Sequence, residues 1–102
     1  MNIEKTENNP QLIFEITGKI DSLTAPEFEK YLTENISSFQ KQIILDCTHL
    51  DYISSAGLRV LLINAKKANE ENMKILLKNM NETVKEIIDI TGFTPLFSFE
   101  NK

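Results

Sequence analysis

The chain has 102 residues, 41% hydrophobic and 25% charged, with a formal net charge of −4; this argues for one globular domain over residues 1–102 and against nucleic acid or an anionic membrane as partner. Cys47 is the one cysteine, so no internal disulfide forms, and its place in an apolar run suggests a buried thiol in a reducing compartment. No apolar run approaches the ~18 residues of a membrane span, and the polar start MNIEKTENNP does not read as a signal peptide, so the expectation is a soluble, cytoplasmic, monomeric protein.

Residues 2–6 read as a weak edge strand and Asn8-Asn9-Pro10 as a turn. Gln11 to Thr17, with Leu12, Ile13, Phe14 and Ile16, reads as a strand that Gly18 ends. A connection over 19–23 carries Asp21. Thr24-Ala25-Pro26-Glu27 predicts a helix start: Thr24 as cap, Glu27 completing a capping box, and Pro26 tolerated in the first turn. Phe28, Tyr31, Leu32 and Ile36 then keep to one face, and Ser37-Ser38 ends the helix. Ile43-Ile44-Leu45 and Cys47 form a short β-branched run, read as a buried strand. After it comes Asp51-Tyr52-Ile53-Ser54-Ser55-Ala56-Gly57-Leu58, a turn that delivers two serines to the start of a helix whose apolar face is Leu58, Leu61, Leu62, Ala65 and Ala68.

Asn69 to Asn72 ends that helix, and Met73 to Lys78 reads as a buried strand. Asn79-Met80-Asn81-Glu82 repeats the cap-x-x-Glu pattern before the apolar face of Val84, Ile87 and Ile88. Gly92 is placed to stop this helix, and Leu96, Phe97 and Phe99 make a terminal strand or docked tail. The order is β-β-α-β-α-β-α-β, an α/β chain with a mostly parallel sheet and a hairpin at one edge.

Several chemistries compete for the serine turn. A hydrolase would use Ser54 or Ser55 as nucleophile, His49 as base and Asp46 or Asp51 as orienter, but the run Ile-Ser-Ser-Ala-Gly lacks the glycine two residues before the nucleophile that a nucleophile elbow needs. One histidine and one cysteine show no metal-ligand spacing, and the turn is not a glycine-rich phosphate cradle. No catalytic residue, metal or cofactor is therefore assigned. The plain alternative is that Ser54 or Ser55 only caps the helix. A hydroxyl held at a helix start is also exposed, and a phosphate placed on it would be well received by the free N–H groups and the helix dipole.

The run from Asp51 to Leu58, placed after Ile43-Ile44-Leu45-Asp46, resembles the signature of STAS domains (sulfate transporter and anti-sigma factor antagonist). Thr17-Gly18-Lys19-Ile20-Asp21 with Thr24-Ala25-Pro26, Lys74 to Asn79, and Asp89-Ile90-Thr91-Gly92-Phe93 resemble further family segments in the same order. The resemblance implies a STAS fold with helices mainly on one face of the sheet. For a chain of this length it implies a bacterial anti-sigma factor antagonist, an anti-anti-sigma factor, that works by partner switching in transcription regulation. The implied partners are an anti-sigma factor that is also a serine kinase of the histidine-kinase-like ATPase type, and a PP2C-type phosphatase. Aligned on Gly57, the family's phosphorylated serine falls on Ser55, with Ser54 as second choice. The family's usual preceding Asp falls on Ser54 and its next Ser/Thr on Ala56, a departure. Asp21 matches an Asp near the phosphorylation site, against the alternative of a loop carboxylate that turns the chain. The implied contact comprises Asp21, Ser54, Ser55, Ala56, Gly57, Leu58 and Arg59, with Leu62 more readily read as core and Arg59 as a solvated side chain that meets a partner carboxylate. A different reading within the family is a non-phosphorylated STAS subunit of an ABC-type lipid or anion transport system.

Overall fold

The computed structural model describes residues 1–101. Its elements are strands β1 (Asn2–Asn8), β2 (Gln11–Ile20), β3 (Gln42–Ile53), β4 (Ile75–Lys78) and β5 (Phe97–Glu100), and helices α1 (Ala25–Asn35), α2 (Ser55–Glu70) and α3 (Glu82–Ile90), with a 3-10 turn at Thr94–Leu96 before β5. The five strands lie side by side in sequence order. β1 pairs antiparallel with β2 as an edge hairpin, and all other pairs are parallel.

Each parallel crossover moves one strand over in the same direction, so right-handed connections stack their helices on one face. Alternation along the strands then selects what that face buries. Leu12, Phe14 and Ile16 of β2, Ile43, Leu45 and Cys47 of β3, and Ile75 and Leu77 of β4 share one core with Phe28 and Leu32 of α1, Leu58, Leu61 and Ala65 of α2, and Val84 and Ile88 of α3. Leu62 is half-buried against that core, and Cys47 is buried, with its thiol pushed up to about 12 chiefly by desolvation. Ile44 lies outside this core, in register with Ile13 of β2 and Leu76 of β4. Among the described residues no helix is long and apolar enough to cross a membrane.

The structure corrects four local expectations. Gly18 does not end β2; at φ +94° it lets the strand pass through a register shift and continue to Ile20. β3 runs well beyond Cys47 to Ile53, because β2 pairs with it through Thr17–His49, Gly18–Leu50, Lys19–Tyr52 and Ile20–Ile53. Thr24 does stand at the cap position of α1, but its side chain makes no cap and no capping box with Glu27: it has helical backbone angles and its hydroxyl points back to the preceding loop. The cap of α3 is Asn81, whose side chain accepts from the Val84 N–H at 2.8 Å; Asn79 lies before it at φ +58°. Gly92, at φ +77°, does follow the end of α3 as expected.

Candidate functional site at the start of the second helix

The carboxyl ends of β2, β3 and β4 feed the starts of α1, α2 and α3 along one edge of the sheet. In open α/β sheets ligands and partners gather at this edge, where loops can vary over a fixed frame. The start of α2 is held tightly to that frame. The Ser54 N–H donates to the Ile20 carbonyl at 2.7 Å, tying the end of β3 to the end of β2. Gly57 sits directly over the same two strands. A Cβ there would lie 2.5 Å from Ile20 Cγ2 and 3.0 Å from Ile53 Cγ1, so only a residue without a side chain allows this approach.

Within this frame the two serines have different roles. Ser54 has extended backbone angles and caps α2: its Oγ accepts from the Gly57 N–H at 3.2 Å. It is half-buried. Ser55 is the first helical residue, is exposed, and makes no side-chain hydrogen bond among the described residues. Capping and presentation, alternatives in the sequence, are thus divided between neighbours. The first turn of α2 carries no acidic residue.

Asp21 belongs to a hydrogen-bonded loop beside this turn. Its Oδ1 accepts from the N–H groups of Leu23 and Thr24, both at 2.9 Å, and its own N–H donates to Thr24 Oγ1 at 2.8 Å. Thr24 Oγ1 also donates to the Lys19 carbonyl at 3.1 Å. The Thr24 N–H, the largest influence, holds the Asp21 carboxyl below its ordinary range. Asp21 is thus a carboxylate that turns this loop.

This loop presents Leu23, 87% exposed, at its tip. Ser22, Ala25, Pro26 and Glu29 on one side, and Ala56, Arg59 and Val60 on the other, line a shallow groove between α1 and α2. Sequence reasoning misses Ser22, Leu23, Pro26 and Glu29 as members of this surface. The one signal for them is an apolar residue, Leu23, set in a polar connection. Leu58 is buried under the turn and packs in the core, while Arg59 is exposed.

The other candidates do not assemble. His49 is exposed on β3, paired with Thr17 of β2, and makes no hydrogen bond with Ser54 or Ser55. Asp46 accepts from Thr48, and Asp51 offers its main-chain carbonyl to Asn81. Among the described residues no group of three His, Cys, Asp or Glu side chains is placed to hold a metal ion.

Comparison with known proteins agrees with this architecture. The family model described as the STAS domain matches residues 1–102. The chain is 34% identical over 90 residues to BtrV of Bordetella bronchiseptica, covering 88% of this chain and 78% of that protein. It is 24% identical over 96 residues to the anti-sigma-B factor antagonist of Staphylococcus aureus, covering 94% and 89% respectively. The phosphorylated form of the Bacillus cell fate determinant SpoIIAA superposes with a TM-score of 0.72 at 16% identity, over 96% of this chain and 90% of that one.

Proposed function

The chain belongs to the STAS domain family, and from that premise we propose that it is an anti-sigma factor antagonist switched by phosphorylation of Ser55. The observation that carries the reading is the division of labour at the start of α2, where Ser54 is engaged as the cap and Ser55 stands exposed with its hydroxyl free. A similarity to a Staphylococcus anti-sigma-B factor antagonist, and to a Bacillus fold known in a phosphorylated form, supports it. The unmodified domain binds an anti-sigma factor through the rim formed by Asp21, Ser54, Ser55, Ala56, Gly57, Leu58 and Arg59. Asp21, Gly57 and Leu58 shape that rim from within; Ser55 and Arg59 lie on its surface. The anti-sigma factor is also the kinase, of the histidine-kinase-like ATPase type, and a PP2C-type phosphatase reverses the mark. The chain works as one STAS binding domain and needs no catalytic residue or cofactor of its own.

The switch follows from charge. A phosphate adds about −1.5 to −2 charges. The free N–H groups and dipole of the helix start accommodate it, so the domain stays folded. A partner seated over the turn meets a new dianion in a desolvated contact, and each ~1.4 kcal/mol of lost interaction weakens binding tenfold.

The test is intact mass with site mapping after incubation with ATP and the histidine-kinase-like ATPases of the same organism, followed by a binding measurement on the product. One phosphate on Ser55 with loss of anti-sigma factor binding is the expected result. A Ser55→Asp protein should fold and bind the anti-sigma factor at least about tenfold more weakly; full-strength binding would sink the switch. No phosphate on Ser55, together with a copurifying ABC-type ATPase, would move the reading to a transport subunit.

A further inference from the structure

We propose that Arg59 is the counter-charge for a phosphate on Ser55, so that the modified domain fastens the phosphate to its own helix; this rests on Ser55 being the acceptor. Ser55 and Arg59 are both exposed and stand four residues apart on α2. At that spacing side chains emerge from one face of a helix, one turn apart, and an anion followed by a cation is the favourable order. Arg59 makes no hydrogen bond or ion pair among the described residues, so its guanidinium is free to turn toward the helix start. Its planar fork suits phosphate oxygens, which it takes two at a time.

On α2 itself Arg59 is the cation nearest Ser55; exposed Lys19 and Asp51 stand on the strand ends beside the turn. No carboxylate occupies the first turn of α2. Asp21, in the neighbouring loop, is held by the Leu23 and Thr24 N–H groups. Glu29 of α1 lies across the groove from Arg59. Lys66 and Lys67, the next cations on α2, are about two turns further along. Phosphate on Ser55 therefore commits the Arg59 guanidinium to the helix start. Modification changes two things on the partner-facing surface: the charge at the rim, and the side chain that borders the groove opposite Glu29.

The pairing can be read without a kinase or a partner. Phosphoserine is encoded at position 55 during translation, in the otherwise unchanged chain and in Arg59→Gln and Arg59→Lys variants, and the phosphate is titrated by phosphorus NMR. Its second ionisation, near pH ~6 when free, should fall lower in the parent than in Arg59→Gln by roughly 0.5 pH unit, the size expected of an exposed charge pair. Arg59→Lys should lie between, and the difference should shrink in 1 M salt, where the screening length falls to about 3 Å. The melting temperature gained on phosphorylation should likewise drop in Arg59→Gln, while the unmodified variants melt together. Identical titrations in the parent and Arg59→Gln proteins overturn the pairing alone. Failure of the kinase assay on Ser55 overturns the acceptor assignment, so the two failures are told apart.

Discussion

The starts of α2 and α3 are built from the same device and put to different ends. Each follows a strand of the same sheet, and each has an extended cap residue whose side-chain oxygen accepts an N–H three residues on: Ser54 from Gly57 at 3.2 Å, Asn81 from Val84 at 2.8 Å. Asn81 goes further. Its Nδ2 donates to the Leu50 and Asp51 carbonyls, at 3.1 and 3.3 Å, and so ties α3 to the long end of β3. Both ends of its amide serve the fold. At α2 the cap is a smaller group, and the next residue is a second serine with nothing to hold. The difference teaches that one helix start is held by a cap side chain with two functions, whereas the other is held by its backbone, which leaves the neighbouring hydroxyl free at the surface.

That contrast can be broken most severely at Gly57. Gly57→Ala forces a Cβ against Ile20 and Ile53, and overpacking of this kind should cost about 1–3 kcal/mol in chemical denaturation. Partner binding should fall with it, because the turn must lift off the strands. Asn81→Ala comes next. It removes a cap and leaves the Leu50 and Asp51 carbonyls without that donor, and should cost roughly 2 kcal/mol. Hydrogen exchange should quicken at the end of β3 as well as in α3. Ser54→Ala removes only the cap and should cost about 1 kcal/mol, with the loss confined to the first turn of α2. An Asn81→Ala cost no larger than that of Ser54→Ala would erase the distinction between the two starts.

Ser55→Ala should shift stability by no more than about 0.5 kcal/mol, as for an exposed side chain without partners, while abolishing phosphate uptake. Phosphate at the wild-type level in that variant would move the site, most directly to Ser54. The smallest effect concerns pH. The folded Asp21 carboxyl is held below its ordinary value by the N–H groups it accepts from, Thr24 foremost. Its contribution is thus present above the unfolded carboxylate value of about 3.9 and is lost as pH falls through the depressed folded value. Thermal melts from neutral pH to pH ~3 should show a shallower acid decline in Asp21→Ala than in the parent. Parallel declines would mean that the loop's hydrogen bonds do not distinguish folded from unfolded chain.

The order of strands and helices can be read directly, because each core face repeats at its own period: Leu12, Phe14 and Ile16 alternate on a strand, and Leu58, Leu61 and Ala65 return on one helix face. The serine turn is legible for the same reason, since a strand pattern gives way to a helix pattern across Ser54 and Ser55. Less legible are the ends. β3 looks short in sequence because Asp46, Thr48, His49 and Asp51 interrupt its apolar run; it is long because β2 supplies hydrogen-bond partners as far as Ile53. Thr24 has the residue types of a capping box with Glu27, yet Asp21, three residues earlier, turns the chain first and takes the Thr24 hydroxyl into its own loop.

The sequence by itself determined the α/β element order and the pair of serines at the start of α2, written in local periodicity and residue types, and its motifs carried the resemblance to the family. Tertiary structure alone decided which serine is the cap and which is exposed, why position 57 must be glycine, and that Ser22, Glu29 and Arg59 border one groove. Those facts depend on how closely α2 approaches Ile20 and Ile53, and on which atoms α1 brings alongside. Distances between segments remote in the chain are set by packing, and no local pattern encodes them.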